Sequence, residues 1–176
     1  TRADPTRLPE LKAALAACPD AQVLEPIKMD DIRIGGHVLE QLPEVIRGHA
    51  AGRRVLLVQG STPMRRGDAD RKAQVNAMLA REFDLRRIVL DSSRGLHADD
   101  THSAVIEAAI RQGTDCVVAL GGGTMADLCK HAVHETDLSL PLVIVQTALS
   151  VNAFSDGVAV MIKQGVKRTV PAKYPN

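Results

Sequence analysis

The stretch from Cys116 to Lys130 reads C-V-V-A-L-G-G-G-T-M-A-D-L-C-K, and it leaves the chain few folds to choose from. Cys116 to Leu120 is a short, wholly apolar run of the kind that a parallel strand buried on both faces requires. Gly121, Gly122 and Gly123 end it abruptly. Beyond them Thr124 reads as an N-cap with Asp127 as the acidic partner of a capping pair, and Met125, Leu128, Ala132 and Val133 recur at helical spacing. Three residues without a Cβ let backbone N–H groups approach a ligand closely, at a helix end that carries about half a positive charge. Strand, glycine turn and helix together make a phosphate cradle. A bare glycine triplet also serves as a plain tight turn, and the spacing here matches neither G-x-G-x-x-G nor G-x-x-x-x-G-K-[ST].

The rest of the chain supplies the neighbours such a strand needs. Leu8, Leu11, Ala14 and Leu15 predict a first helix that ends near Pro19. Ile32 to Ile34 reads as a short strand closed by Gly35 and Gly36, and Val38, Leu39, Leu42, Val45 and Ile46 as the amphipathic helix after it, a first βα unit. Val55 to Val58 is a continuous branched strand that ends in Gln59, Gly60, Ser61 and Thr62, a plausible ligand loop. Asp68 or Asp70 caps the next helix, with Val75, Met78 and Leu79 inward and Arg71, Lys72 and Arg81 toward solvent. Ile88 to Leu90 is a strand from which Asp91 to Arg94 turns away. Thr101 to Gln112 is a helix with Ala104, Val105, Ala108 and Ala109 on its buried face and Gly113 as C-cap. Leu142 to Val145 is a further buried strand running into the polar stretch Gln146 to Asn152. Val158 to Ile162 and Val166 to Val170 flank Lys163, Gln164 and Gly165 as a hairpin added to the parallel core.

This order predicts an α/β fold, a Rossmann-like open and mostly parallel sheet flanked by helices, in one unit over residues 1–176. In such sheets ligands bind beyond the carboxyl ends of the strands, which gathers Gly60, Ser61, Gly121 to Gly123 and Thr147 on one edge. The 22 Lys and Arg nearly cancel the 21 Asp and Glu, and no basic block is paired with aromatics, so nucleic acid is not an expected partner. With no Trp, one Tyr and two Phe, the core must be built from Val, Leu, Ile and Ala. No run approaches the roughly 18 to 20 apolar residues of a membrane span, which predicts no membrane partner and a cytoplasmic protein. Cys18, Cys116 and Cys129 lack C-x-x-C spacing and read as structural thiols in a reducing compartment.

Gly121-Gly122-Gly123-Thr124 with Asp127 and Lys130, then Pro141 to Ala148, then Gly165-Val-Lys167-Arg-Thr-Val-Pro171, resembles the sn-glycerol-1-phosphate dehydrogenases. These belong to a superfamily shared with iron-type alcohol dehydrogenases, glycerol dehydrogenases and dehydroquinate synthases. The resemblance implies an N-terminal domain for NAD or NADP. It implies that Gly121, Gly122 and Gly123 hold the pyrophosphate, that Thr124 adds a hydroxyl, and that Asp127 lies near the nicotinamide ribose or carboxamide. Thr147 and Ser150 would border the adenosine half. The reaction implied is metal-assisted hydride transfer between the nicotinamide and dihydroxyacetone phosphate or a similar polyol phosphate, interconverting the ketone and glycerol 1-phosphate. From the residues alone, Asp127 also reads as a helix-cap carboxylate and Lys130 as a solvated helix residue.

Two departures from the family pattern bear on function. Many relatives carry an Asp where Asn152 stands here, so Asn152, Asp156 and Lys130 are the substrate-side candidates, Asp156 also reading as an ordinary turn residue. The family's metal ligands, for zinc, nickel or iron, lie in a helical C-terminal domain, which is expected to be absent from this chain. His131 and His134 then read as surface histidines, and no metal site is expected here. A missing second domain would leave apolar faces exposed, so self-association or a metal-domain partner is expected. Arg65 and Arg66, just past Gly60 and Ser61, are candidates for tolerating the 2′-phosphate of NADP. Rival readings are a dehydroquinate-synthase-like cyclase domain, a stand-alone nucleotide-binding module without catalysis, and a structural fragment of a larger enzyme.

Overall fold

The computed structural model describes residues 4–136, 138–148 and 152–176. Four parallel strands form the central sheet in the order β4-β1-β5-β6, made of β1 (Arg54–Gly60), β4 (Asp84–Leu90), β5 (Cys116–Gly121) and β6 (Leu142–Gln146). Parallel neighbours need crossover connections, and helices α3 (Arg71–Glu82), α4 (Asp100–Arg111) and α5 (Gly123–Glu135) supply them. The two-residue strands β2 (Arg65–Arg66) and β3 (Ala69–Asp70) form a small antiparallel pair between β1 and α3. Helices α1 (Leu8–Ala16) and α2 (Leu42–His49) precede the sheet. Pro9 and Pro43 sit in the first turns of those two helices, where a missing N–H costs nothing.

The alternation of side chains along β1 and β5 divides the core into two layers. Leu56, Val58, Val117 and Ala119 face Ile106, Ile110, Leu128 and Ala132 of α4 and α5. Val55, Leu57, Cys116, Val118 and Leu120 face Leu42, Ile46, Val75 and Leu79 of α2 and α3. Both faces of the central strands are therefore dry, and each fully buried Val, Leu or Ile contributes about 1.5–3 kcal/mol. Burial pushes the Cys116 thiol up to about 12 and the Cys129 thiol upward too, so both are inert packing groups, while Cys18 is exposed.

Three sequence expectations change here, and the choice between Asp68 and Asp70 is settled. Ile32 to Ile34 joins no sheet, so α2 has no partner strand before it. Arg33 is held by Asp31, by Gln41 and by Glu44 of α2, which keeps this segment against the helix and away from a sheet edge. Asp70, and not Asp68, caps α3, accepting from the Ala73 N–H at 3.1 Å. Helix α4 buries Ser103, Ile106 and Ile110 in place of the alanine face, because two isoleucines remove more apolar area from water than Ala104 and Ala108. The hairpin of β7 (Val158–Lys163) and β8 (Val166–Pro171) forms its own two-stranded sheet. Its buried residues Ala159 and Met161 join the α5 side of the core, and a single bridge from Ile162 to Asp99 links it to the α4 start. Its turn residues Gln164 and Gly165 both have positive φ, as a two-residue hairpin loop requires.

The histidines also differ from expectation. His134 is exposed, but His131 is buried against α4. The Ser103 hydroxyl donates to Glu107 at 2.8 Å, so at the 2.7 Å contact between Ser103 and His131 it is Nδ1–H that donates. Nε2 is left as a buried acceptor without a hydrogen-bond partner, 3.8 Å from Glu135. Burial, helped by the Lys163 charge, holds the imidazole below its ordinary value of 6.5. Below that pH the unfolded chain takes up a proton that the folded chain resists, so stability falls on acidification, with a slope of at most about 1.4 kcal/mol per pH unit. His131→Gln is expected to flatten this acid limb in urea unfolding followed against pH; an unchanged slope would show that His131 does not contribute.

Residues 25–30 are fastened to residues 174–176. The Tyr174 hydroxyl donates to Glu25 at 2.8 Å, the Lys28 ammonium lies 4.7 Å from the Tyr174 ring centroid, and the Asn176 side chain donates to Asp30. Gly157 is required beneath this ring, since a Cβ there would lie 2.3 Å from Tyr174. Among the described residues no helix is long and apolar enough to cross a membrane.

Candidate functional site

Strands β1, β5 and β6 end together, and beyond their carboxyl ends lies a cleft of about 270 Å³. Gly60, Thr62, Lys72, Ser92, Gly121, Gly122, Gly123, Thr124 and Thr147 border it, with Pro63, Met64, Leu96, Leu120 and Met125 as its apolar walls. The glycine turn is tightly built. A Cβ on Gly121 would lie 2.7 Å from the Met125 Cβ, so only glycine lets β5 pass into α5 this closely. The Thr147 N–H donates to the Gly121 carbonyl at 3.0 Å, which ties the end of β6 to the turn.

Helix α5 starts two residues earlier than its sequence suggests. Gly122 is the N-cap residue, with no side-chain cap bond, and Thr124 lies inside the first turn. The capping pair of Thr124 and Asp127 therefore does not form. The consequence favours binding, because the amide donors of a first turn without a side-chain cap are left to an external acceptor, an arrangement suited to a phosphate.

Of the expected cofactor residues, Gly60, Gly121, Gly122, Gly123, Thr124 and Thr147 line the cleft together. Ser61 stands beside it and binds the turn after β4: its hydroxyl accepts from the Ser92 N–H at 2.9 Å, and its N–H donates to the Leu90 carbonyl at 2.8 Å. That turn comes back onto β1 instead of leading away, since Ser92 Oγ also accepts from the Thr62 N–H at 2.8 Å. Ser150 falls outside the described residues. Asp127 is half-buried on the opposite flank, where the Val160 N–H of β7 approaches it. Burial pushes its carboxyl above the ordinary carboxylate value, against the opposing pull of Lys130.

The substrate-side candidates Lys130 and Asp156 do meet, while Asn152 stands apart on the surface with its carbonyl taken by the N–H and hydroxyl of Ser155. Lys130 is fully buried, not a solvated helix residue: its ammonium donates to the Ala153 carbonyl at 2.6 Å and to the Asp156 carboxylate. This cation anchors residues 153–156 onto α5. Asp156 in turn accepts from the Val158 N–H at 3.2 Å, which starts the hairpin.

Sequence reasoning missed Lys72 and Ser92. Lys72 was expected to face solvent, but its side chain runs back from the first turn of α3 and its ammonium donates to the Gly60 and Thr62 carbonyls. The available signal was its place as the second residue of a helix that follows a ligand loop, within reach of the strand end. Partial burial holds its ammonium below the ordinary lysine value. Arg65 and Arg66, by contrast, lie exposed on β2 and do not line the cleft. Among the described residues no three His, Cys, Asp or Glu side chains converge as a metal-ligand set.

The family model of the iron-containing alcohol dehydrogenases matches residues 33–176. A glycerol-1-phosphate dehydrogenase [NAD(P)+] from Bacillus velezensis is 25% identical over 152 residues, covering 85% of this chain and 37% of that protein. One of the same name from Methanosphaerula palustris is 30% identical over 127 residues, covering 72% of this chain and 32% of that protein. The chain thus spans about a third of the length of these relatives. Among solved structures, an iron-containing alcohol dehydrogenase from Thermococcus thioreducens superposes with a TM-score of 0.69 at 19% identity, over 86% of this chain and 45% of that one. The glycine-turn cleft, the four-stranded parallel sheet and the match over most of the chain converge: this protein belongs to the iron-containing alcohol dehydrogenase family.

Proposed function

We propose that this chain is the nucleotide-binding part of an NAD(P)-dependent oxidoreductase that interconverts glycerol 1-phosphate and dihydroxyacetone phosphate or a similar polyol phosphate. The observation that carries the reading is the glycine turn at the end of β5, where a helix without a side-chain cap opens onto a cleft at the carboxyl ends of three parallel strands. The names of the curated relatives support the nicotinamide cofactor and the polyol phosphate.

In this reading Gly121, Gly122 and Gly123 take the pyrophosphate on their backbone, and Thr124 adds a hydroxyl from the first turn of α5. Met125 and Leu96 supply an apolar wall. Thr147 borders the other side, held by its bond to Gly121. When bound, the nicotinamide accepts or donates the hydride. The pair of Lys130 and Asp156 fixes the path of residues 153–156 toward the substrate side. The family's metal would be held by residues other than those described, from a further segment or partner.

Calorimetric titration with NADH and NADPH tests the reading. Saturable binding of at least one, lost in Gly122→Val, is the expected result. Binding that survives this substitution would place the nucleotide elsewhere, and binding of neither would remove the basis for the cofactor assignment.

A further inference from the structure

The charge of the cleft is more specific than its shape. We propose that Lys72, with the hydroxyls of Thr62 and Ser92, forms a subsite for a ribose 2′-phosphate, so that the preferred dinucleotide is NADP(H) over NAD(H). This rests on the nucleotide reading above and deepens it.

Strand β1 is the direct neighbour of β5, with Gln59 level with Leu120. A dinucleotide whose phosphates lie on the glycine turn therefore has the end of β1 within reach for one of its riboses. Discrimination at such a position follows simple electrostatics: a carboxylate accepts hydrogen bonds from the 2′-hydroxyl and repels a 2′-phosphate, and a cation does the reverse. Among the described residues no carboxylate lines this cleft, and Lys72 is its one cation. The nearby acids stand outside the lining and are held by other bonds, although the Asp70 charge also acts on Lys72. Asp70 caps α3, and Asp91 accepts from the N–H and hydroxyl of Ser93 at 2.9 and 3.1 Å.

Lys72 is also preorganised. Its ammonium is steered by two neutral carbonyls, those of Gly60 and Thr62, which fix its position without cancelling its charge. An ammonium has three donors, so one remains for a ligand. Around it Thr62 Oγ1 and Ser92 Oγ lie 2.6 Å apart, and both residues border the cleft. One of the two hydroxyl protons is spent on the bond between them, and the remaining one, with the fixed cation, matches the acceptor-rich phosphate monoester, which offers no donor to a carboxylate. Arg65 and Arg66, which the sequence offers for this role, sit outside the lining.

The test compares NADPH with NADH, and adenosine 2′,5′-bisphosphate with AMP, in wild type, Lys72→Met and Lys72→Arg. Wild type is expected to hold the 2′-phosphorylated member of each pair about tenfold or more tightly, the size of a charge-assisted hydrogen bond. In Lys72→Met the ratio of affinities within each pair should fall to about one, whatever uniform change the loss of the loop brace brings to both members, and Lys72→Arg should keep the preference in part. Because Lys72 also braces the β1 loop, a variant-free arm is included. Added salt should weaken NADPH binding more steeply than NADH binding in wild type. Equal affinities for the paired ligands in wild type, equal salt slopes, or an equal loss of both partners in Lys72→Met would overturn the subsite while leaving the nucleotide reading intact. Failure of all four ligands to bind overturns the nucleotide reading itself.

Discussion

Asp156→Ala is expected to lower the stability of this protein by about 3 kcal/mol, more than Lys130→Met does. The asymmetry comes from where each partner sits. Lys130 is fully enclosed, and among the described residues Asp156 is the one carboxylate it bonds directly, while the Asp156 side chain keeps 36% of its surface in solvent. Removing the carboxylate strands an ammonium in the core with one carbonyl for company. Removing the ammonium leaves a carboxylate that can turn to water and still accept from the Val158 N–H. Methionine fills nearly the same space with an apolar chain, so the second loss is nearer 1 kcal/mol. Urea unfolding of the two variants checks this, and equal losses would show that the pair acts only as a surface contact.

The second large effect is at the glycine turn, where two adjacent residues should fail differently. Gly121→Ala puts a Cβ 2.7 Å from the Cβ of Met125, which is bonded directly to the helix backbone and cannot swing aside by a rotamer change. We expect a loss of about 1–3 kcal/mol from overpacking, together with displacement of the first turn of α5. Nucleotide affinity should fall by about 100-fold, since the misplaced amides carry most of the phosphate contact. At Gly122 a Cβ would meet only the Ala148 side chain, at 3.7 Å, an ordinary contact. Gly122→Ala should therefore fold with wild-type stability and lose affinity by about tenfold, because its methyl occupies the approach of the phosphates. Thermal unfolding and calorimetry on the same preparations separate the two. Matching losses of stability would refute the steric account.

The difference between these neighbours also marks how far the sequence can be read. The apolar run from Cys116 to Leu120, the glycines and the later strands are legible because a doubly buried strand and a sharp stop leave few alternatives. Gly60, Gly121 to Gly123 and Thr147 meet in one cleft because every parallel strand must end on the same edge. What failed was information held by partners. Ile32 to Ile34 has the letters of a strand but no neighbour to pair with. Ala104 and Val105 lost the buried face of α4 to Ile106 and Ile110, and a serine joined them because His131 and Glu107 satisfy its hydroxyl. Lys130 and Lys72 both look like surface lysines in one dimension. Their burial depends on carbonyls 23 and 12 residues away, at Ala153 and Gly60. Long flexible side chains reach such acceptors without leaving a periodic trace.

The fastening of residues 25–30 to residues 174–176 makes this protein an unusual optical object. It contains no Trp and a single Tyr, and that tyrosine is the fastening itself, with its hydroxyl on Glu25 and its ring beside Lys28. Intrinsic ultraviolet emission is therefore a one-site signal, blind to the sheet and to the glycine cleft. A fluorescence trace of unfolding follows the release of Glu25 from Tyr174, and circular dichroism follows the helices and strands. Where the two curves separate, the interval between them measures how independently that fastening opens.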